Sequence, residues 1–290
     1  PTQGAGAVAM LLETDPTLLK VQLNNIGSAS AYRAVDFRKP VMRNLIRGNL
    51  NCHFQDLPVF NGKYSTTCYV DETLHALHEM LRRLDLEPAV YYNNLTAAFM
   101  HRPYHRMPIT SFAMSYLFGL ARNGAAGLAE LATYCDDAGM SIDTVLTEMK
   151  STPDVLQLVR DGDIDVDVYP LSMQLLKEFR TSKTFTEKLA AKMTLGTEPM
   201  KDIGNVYCAA LPAWIAAGLE EAAAAGENLE NGEILAVGYG SGDAAEAIPM
   251  TLADNWPKAA AKIKFMEALE PQQNLTKAQY ESLHDTGNAT

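Results

Sequence analysis

The strongest constraint on the fold of this 290-residue chain is an alanine-rich stretch that leads directly into two apolar runs. Residues 204–225 combine alanine with leucine and isoleucine, which predicts a long helix suited to close packing between layers. Residues 233–239 are almost continuously apolar, and residues 244–252 follow after a Gly-Ser-Gly turn. This pattern predicts a buried strand and a returning strand, and therefore favours a layered α/β architecture.

The remaining sequence continues the alternation of strands and helices. A short apolar strand is predicted at 97–100, and a helix capped by Asp71 is predicted through residue 84. Residues 16–65 indicate strands and loops that end in a turn at 61–63. Further helices are predicted across 108–150 (with breaks at 123–124 and 138–139), at 171–179 and 185–193, and near the C-terminus at 257–269 and 276–284. We interpret 1–290 as one domain in which residues 108–200 are a helical insertion.

The start of the chain predicts a strand that lacks neighbours. Residues 4–12 form an apolar run with small side chains, typical of a strand buried on both faces. A buried strand needs strands beside it, and nothing in the sequence precedes this one. We therefore expect residues 1–15 to complete a structural half that is supplied elsewhere. Pro1 in place of Met fits either a longer product or the removal of a preceding Met.

Composition and charge exclude some functions and favour others. The net charge of −11 argues against a nucleic-acid surface. No apolar run is long enough to span a bilayer, no secretory signal is visible, and four cysteines without a C-x-x-C pair indicate reduced thiols. These features predict a soluble intracellular protein of the cytoplasm or an organelle matrix.

A basic patch is predicted between residues 31 and 50, where five basic side chains accompany only Asp36. The basic residues are Arg33, Arg38, Lys39, Arg43 and Arg47. A local positive patch on an acidic protein suits a phosphate-bearing ligand. The alternative is a solvated and partly paired surface.

Three polar motifs stand at the ends of predicted elements. His101 follows the strand at 97–100, where a neutral imidazole can polarise a carbonyl or move a proton. Asn205 opens the long helix, a position where asparagine is commonly an N-cap. The Gly240-Ser241-Gly242 turn is neither a G-x-S-x-G elbow nor a phosphate loop, which would need a lysine. Taken alone, these residues also fit a surface histidine, a helix cap and a tight turn.

The order of the motifs resembles the 3-hydroxy-3-methylglutaryl-CoA synthase family of the thiolase superfamily. The matching segments are His101-Arg102-Pro103-Tyr104, Gly204-Asn205-Val206-Tyr207, Asp36-Phe37-Arg38-Lys39-Pro40, the run from Pro58 to Ser65 with Cys68-Tyr69, and the Gly-Ser-Gly turn. The resemblance implies a thiolase-like layered α/β fold: the last strand of the N-terminal half, then the C-terminal half with its helical insertion. Such proteins are usually dimers with the active site between two similar halves.

The resemblance also implies two catalytic residues. His101 corresponds to the histidine that polarises the ketone of the acceptor, acetoacetyl-CoA. Asn205 corresponds to the amide that hydrogen-bonds the same carbonyl, a way of stabilising developing negative charge. Arg106 stands where the family has a lysine near the CoA phosphates; it keeps the charge but not the geometry of an ammonium group.

Other site residues follow from the same resemblance. Tyr207 and Ser241 are expected beside the substrate, and Lys39 is expected to bind CoA. Asp36 is expected to order the site, with a role as a salt-bridge partner as the alternative. Cys208 replaces a threonine of the family and is interpreted as a buried structural thiol.

The family reaction is a Claisen-type condensation of acetyl-CoA with acetoacetyl-CoA, which needs no metal or redox cofactor and uses CoA thioesters as substrates. Its nucleophilic cysteine and its glutamate belong to the N-terminal half, and neither has a match here. Three accounts stay open: one polypeptide of a split synthase, a portion of a longer enzyme, or a non-catalytic scaffold or regulatory subunit. Relatives that build β-branches on carrier-protein-bound polyketides are an enzymatic alternative with a carrier-protein thioester as substrate.

Two patterns are set aside as metal sites. His75 and His78 lie three residues apart on a predicted helix, but no third ligand is placed to complete a site. The acidic run at 161–167 lacks the glycine and the bidentate glutamate of a calcium loop. An exposed acidic loop is the simpler interpretation.

Overall fold

A mixed sheet of five strands organises the protein. The computed structural model describes residues 4–33, 37–38, 59–60, 62–161, 167–229, 231–270 and 272–286. The strands are β1 (Leu19–Val21), β2 (Gly27–Ser30), β3 (Phe37–Arg38), β4 (Val59–Phe60), β5 (Ala97–Met100), β6 (Glu233–Gly240) and β7 (Ala244–Leu252). The sheet order is β1-β7-β6-β5, β2 also pairs with β7, and β3 and β4 form a separate pair.

The register of the sheet fixes the ends of its strands. β5 runs parallel to β6 from Ala97 opposite Ile234 to Met100 opposite Val237. β6 and β7 are antiparallel and form a hairpin, while β1 and β2 lie end to end along β7. The predicted strands at 97–100, 233–239 and 244–252 are therefore confirmed.

The helices between and after these strands are mostly short. They are α1 (Gly62–Leu84), α2 (Pro88–Asn94), α3 (Arg106–Leu120), α4 (Gly124–Asp137), α5 (Ile142–Met149), α6 (Val155–Arg160), α7 (Pro170–Phe179), α8 (Thr197–Ile203), α9 (Ala210–Ala225), α10 (Trp256–Ala260), α11 (Phe265–Leu269) and α12 (Lys277–Thr286). A π-helical turn covers Thr184–Leu189, and 3-10 turns cover Leu23–Asn25, Ala190–Met193 and Tyr207–Ala209. Within the described ranges, none of these helices has the length and apolarity to cross a membrane.

Helices cover the sheet on both faces. The ring of Tyr239 in β6 packs edge-on against Tyr69 of α1, with 4.9 Å between centroids. The neighbouring Gly238 faces Leu211 of α9. Successive residues of a strand point to opposite faces, so α1 and α9 lie on opposite sides of β6. This double burial explains why β5 and β6 are continuously apolar.

Helix α1 touches the sheet most closely at Gly27 of β2. A Cβ atom there would fall 2.1 Å from the carbonyl oxygen of Ala76 and 2.2 Å from the nitrogen of Met80. Any side chain at residue 27 would therefore push the helix off the sheet. Glycine at this position allows the close packing of α1 on β2.

The predicted start of α1 is wrong. The helix already includes Gly62, so the turn predicted at 61–63 is not present at that residue. Asp71 is not a cap but lies mid-helix, where it is buried and ion-paired with Arg33. Polar side chains on the inner face, such as Thr67 and Thr73, also hide the apolar periodicity on which the prediction depended.

Other helix predictions are partly confirmed. The helices and breaks between 108 and 150 are present as α3, α4 and α5, and the helix at 171–179 is α7. The segment 185–193 is helical but not α-helical, α8 was not predicted, and α9 begins at Ala210 rather than near 204. The treatment of 108–200 as an insertion stays a prediction.

The strand predicted at 4–12 is not observed. These residues have no regular secondary structure, and Met10, Leu11 and Leu12 are 58%, 83% and 87% exposed. Within the described residues no strand lies beside this segment to accept its backbone hydrogen bonds. Its completion of a half supplied elsewhere stays a prediction.

Candidate functional site

His101 lies at the end of β5 with its backbone held on both sides. Its amide donates to the carbonyl of Val237 at 2.7 Å, and the hydroxyl of Tyr69 donates to its carbonyl at 2.8 Å. The imidazole faces the ring of Tyr239, with 6.2 Å between centroids. Burial lowers the pKa of His101 to about 4. At neutral pH the imidazole is therefore uncharged, the form that can donate one hydrogen bond to a carbonyl without carrying a charge.

A group of basic side chains, which we call the cationic cluster, lies around the segment that follows His101. Its members are Arg102, His105, Arg106, Arg180 and Lys201. Arg102 is buried, contacts His105 and lies 4.8 Å from the centroid of the Trp214 ring. Burial and then the charges of Arg102 and Lys201 lower the pKa of His105. These effects place residues of β5–α3 and α8 within one electrostatic environment.

Arg180 joins the cationic cluster from the end of α7. Its guanidinium donates to the hydroxyl of Thr110 at 2.6 Å, while its Nε atom is buried without a hydrogen-bond partner. Burial, followed by the charge of Arg106, lowers the pKa of Arg180. In the described residues, the carboxylate that acts on this cluster is Glu198, which is exposed and paired with Lys201. Positive charge therefore exceeds negative charge here, as an anionic ligand requires.

Asn205 forms a tight loop rather than a helix cap. Gly204 has φ of 76°, which turns the chain after α8, and the carbonyl of Asn205 accepts a bond from the amide of Gly4 at 2.9 Å. The side-chain oxygen of Asn205 accepts from the amide of Tyr207 at 2.8 Å, which forms an Asx turn. The other end of the side chain is the NH₂ group, a donor suited to a carbonyl ligand.

The turn between β6 and β7 holds an exposed serine and a buried carboxylate. Ser241 is exposed, whereas Asp243 is almost fully buried. The hydroxyl of Tyr239 donates to Oδ1 of Asp243 at 3.0 Å. Because Tyr239 also faces His101, the turn and the strand end of β5 meet through this tyrosine.

Arg33 holds three carboxylates in what we call the Arg33 cluster. Its guanidinium pairs with Asp71, and lies 3.3 Å from oxygens of both Glu72 and Asp243. Asp71 also accepts a 2.6 Å bond from the hydroxyl of Tyr169. Burial raises the pKa of Glu72 to about 7 against the opposing effect of the Arg33 charge. The cluster is buried, and its three carboxylates more than neutralise the charge of Arg33.

The predicted basic patch is therefore wrong at Arg33. This side chain is 6% exposed and bound to carboxylates, so it cannot meet a phosphate group at the surface. The side chain of Arg38, and the whole of Lys39, Arg43, Arg47 and Asp36, lie outside the described residues. The cationic cluster is the alternative that the sequence analysis missed. The closeness of Arg102, His105 and Arg106 in sequence was a usable signal, whereas Arg180 and Lys201 reach the cluster only through the fold.

The structure brings some predicted site residues together and separates others. His101 and the Ser241 turn are linked through Tyr239, and Arg106 begins α3 directly after the His101 segment. Asn205 and Tyr207 share one loop, joined to the His101 segment by the electrostatic contact of α8 with His105. Tyr207 is 39% exposed. The roles of these residues stay predictions.

The interpretation of Cys208 as a buried thiol is wrong. Cys208 is exposed because it lies on the 3-10 turn before the buried face of α9 begins, whereas Cys68 and Cys135 are buried. Cys52 lies outside the described residues. In the part of the chain that the structure describes, no group of three or more His, Cys, Asp or Glu side chains is placed to hold a metal ion.

A mixed sheet with α1 on one face and α9 on the other, and a histidine at the end of β5, together match a thiolase-like α/β fold. A family profile described as hydroxymethylglutaryl-coenzyme A synthase C terminal matches residues 33–286. The chain belongs to the hydroxymethylglutaryl-CoA synthase family, and matches its C-terminal portion.

Individual relatives agree with this assignment. The chain is 23% identical to the hydroxymethylglutaryl-CoA synthase of Haloferax volcanii over 99% of its own length and 56% of the relative. The structure of MvaS in complex with 3-hydroxy-3-methylglutaryl coenzyme A has a TM-score of 0.66 at 23% identity, over 97% of this chain and 54% of that one. The HMG synthase of the curacin biosynthetic pathway, in complex with an acetyl donor-ACP, has a TM-score of 0.55 at 14% identity, over 93% and 47%. The chain thus spans about half the length of these relatives.

Proposed function

We propose that this protein supplies the acceptor half of an acyl-CoA condensing site, in an enzyme that joins acetyl-CoA to acetoacetyl-CoA. In this proposal His101 and the NH₂ group of Asn205 donate hydrogen bonds to the ketone oxygen of the acceptor. Both donors favour the alkoxide that forms when the acetyl enolate attacks. Ser241 and Tyr207 lie against the bound thioester.

The neutral, half-buried imidazole of His101 carries the proposal. Its pKa of about 4 keeps it uncharged at neutral pH, so it hydrogen-bonds the ketone without acting as a strong acid toward the enolate. Its backbone is fixed by Val237 and Tyr69, which gives the donor a set position before substrate arrives.

The cationic cluster suits the phosphates of CoA. Arg106 and Arg180 influence each other electrostatically, and the buried Nε of Arg180 has a donor that no described residue accepts. Charge-assisted bonds from two guanidinium groups to phosphate oxygens are strong and directional. Lys39 and Asp36, outside the described residues, keep their proposed roles near CoA and in ordering the site.

The acyl-enzyme half is proposed to come from residues beyond those matched here, on a second polypeptide or on the same one. Its cysteine accepts the acetyl group and its glutamate removes the methyl proton. Met10, Leu11 and Leu12 are exposed apolar side chains that a neighbouring segment would cover. Dimerisation of the assembled enzyme belongs to the same proposal.

The test uses the protein purified with whatever polypeptides accompany it. Radiolabelled acetyl-CoA should acetylate the nucleophile-bearing partner segment and release CoA. Added acetoacetyl-CoA should then, with hydrolysis, free the label from the protein as the condensed CoA thioester. His101→Gln should lower kcat by about a hundredfold while acetylation is retained, because His101 serves the acceptor and not the donor. Arg82→Gln, at an exposed ion pair on α1, is the control.

Two outcomes would contradict the proposal. Activity of His101→Gln within a few-fold of the unmodified protein would remove His101 from the mechanism. A chain that is monodisperse alone, with no polypeptide acetylated, would exclude the two-part enzyme and favour a scaffold or regulatory subunit.

A carrier-protein thioester is the second candidate substrate. It is favoured by the similarity in fold to the curacin pathway HMG synthase in complex with a donor-ACP. The same assay distinguishes the two candidates when acetyl-CoA is replaced by an acetyl carrier protein and, separately, acetoacetyl-CoA by an acetoacetyl carrier protein. A cationic cluster that binds CoA phosphates predicts the higher kcat/KM with the CoA thioester.

A further inference from the structure

A second basic site lies at the opposite end of α3 from the proposed acceptor site. A cavity of about 70 Å³ opens between α1, α2, α3 and the residues after α5. Basic side chains from three of these regions surround it: His75 and His78, Arg122, and Lys150. Arg106 and Arg122 flank α3, so at a rise of about 1.5 Å per residue the two sites are about 24 Å apart. The cavity is therefore separate from the cationic cluster.

Arg122 is the centre of positive charge in this cavity. After burial, its charge is the next cause that lowers the pKa of His78. The same charge opposes the rise in pKa that burial causes at Tyr92 and Tyr169, which belong to different elements. The guanidinium therefore lies among side chains contributed by α1, α2 and the segment before α7.

Carboxylates do not line this cavity in the described residues, although the chain carries a net charge of −11. The acidic groups nearest the histidines are already engaged. Asp71 lies 3.8 Å from His75 but pairs with Arg33, and Glu79 next to His78 binds Arg82 and Arg83. The positive charge of Arg122 and Lys150 is thus left for a ligand.

The floor of the cavity is apolar. Leu77, Leu81, Phe118 and Met149 line it below the basic rim, and Ser115 adds a hydroxyl. An inorganic anion would contact only the basic rim, whereas an anion with a short apolar group would contact both the rim and the apolar floor. We propose that this cavity binds a small organic anion, with a phosphate or carboxylate head on Arg122 and His78 and a short apolar tail on the leucines.

The experiment measures binding by NMR titration of the full chain with propyl phosphate, butyrate and inorganic phosphate. One of the two organic anions should bind more tightly than inorganic phosphate, and which one it is identifies the head group. Arg122→Gln should weaken that binding by about tenfold, because it removes the central charge. Lys20→Gln, an exposed lysine on β1 that pairs with Asp254, should leave it within about twofold.

The NMR signals of His78 give a second readout. The bound anion should raise the pKa of His78, since a negative charge nearby favours the protonated ring. No binding at millimolar concentrations, equal affinity for inorganic phosphate, or unchanged binding in Arg122→Gln would each overturn the proposal. None of these measurements depends on CoA or on condensing activity.

Discussion

Two charged regions lie on either side of Tyr239, one buried and one largely exposed, and they are built in opposite ways. The Arg33 cluster surrounds one guanidinium with three carboxylates. The cationic cluster combines several basic side chains with the exposed carboxylate of Glu198. The hydroxyl of Tyr239 binds the first region through Asp243, while its ring faces His101 beside the second.

The difference separates a structural role from a binding role. A buried cation that is fully paired holds elements together, here β2, α1 and the turn after β6. Cations that are close together without enough carboxylates repel one another and destabilise the folded state unless an anionic ligand neutralises them. Such an excess of one charge is typical of binding sites. We therefore expect substitutions in the Arg33 cluster to change stability, and those in the cationic cluster to change ligand affinity.

The largest effect is expected for Arg33→Met. It leaves Asp71 and Asp243 buried without their cation, which should lower the free energy of unfolding by about 3–5 kcal/mol. Urea denaturation measures the change. Arg82→Met, at an exposed pair on α1, is the control and should cost less than about 1 kcal/mol. A loss for Arg33→Met as small as that of the control would remove the structural role of the cluster.

Glu72→Gln tests the excess of negative charge in the same cluster. The pKa of Glu72 is raised from its ordinary 4.5 to about 7, so between these pH values the folded state binds more protons than the unfolded state. The stability of the unmodified protein therefore falls as pH rises from 4.5 to 7. Glutamine cannot ionise, so the variant should have the higher Tm at pH 8, and this advantage should disappear near pH 4.5. A difference in Tm that is constant with pH would contradict the raised pKa.

In contrast to Arg33→Met, Arg180→Met should change ligand affinity more than stability. The buried Nε has no partner to lose, and the hydrogen bond from the guanidinium to the hydroxyl of Thr110 is worth about 1 kcal/mol, so we expect stability to fall by about that amount. The affinity of the assembled enzyme for CoA should fall by about tenfold, because a charge-assisted contact to phosphate is lost. Calorimetric titration at low and high salt measures it. Destabilisation without loss of affinity would make Arg180 a structural residue.

The smallest effect is expected for Tyr239→Phe, which removes the hydrogen bond to Asp243 and keeps the ring near His101. The free energy of unfolding should fall by about 1 kcal/mol. If the tyrosine also positions His101, kcat should fall while the KM for acetyl-CoA stays unchanged. A Tyr239→His variant that regains the stability lost in Tyr239→Phe but not its kcat would separate the stabilising role of the tyrosine from its positioning of His101.

Strands β5, β6 and β7 and most helices could be predicted from the sequence, because mostly apolar runs specify these strands and the turn of Gly240 to Gly242 separates β6 from β7. The start of α1 could not, since Asp71 and Glu72 are buried by pairing with Arg33, which is distant in sequence. The same reason explains the misplaced basic patch. Apolar burial leaves a local pattern in the sequence, whereas charge pairing through space does not.

The N-terminal segment also has a mechanical consequence. Gly4 is bonded to the carbonyl of Asn205, and a Cβ atom at Gly4 would fall 1.9 Å from the carbonyl oxygen of Ile203. The N-terminal segment that carries the exposed Met10, Leu11 and Leu12 is thus anchored at Gly4 to the loop of Asn205. Because the segment and the loop share this hydrogen bond, a partner bound to those side chains and an acceptor bound at Asn205 should change each other's affinity by the same factor. In Gly4→Ala the added Cβ atom would displace Gly4 from Ile203 and break the hydrogen bond to Asn205. The affinity for the acceptor, measured by titration, should then be the same with and without the partner.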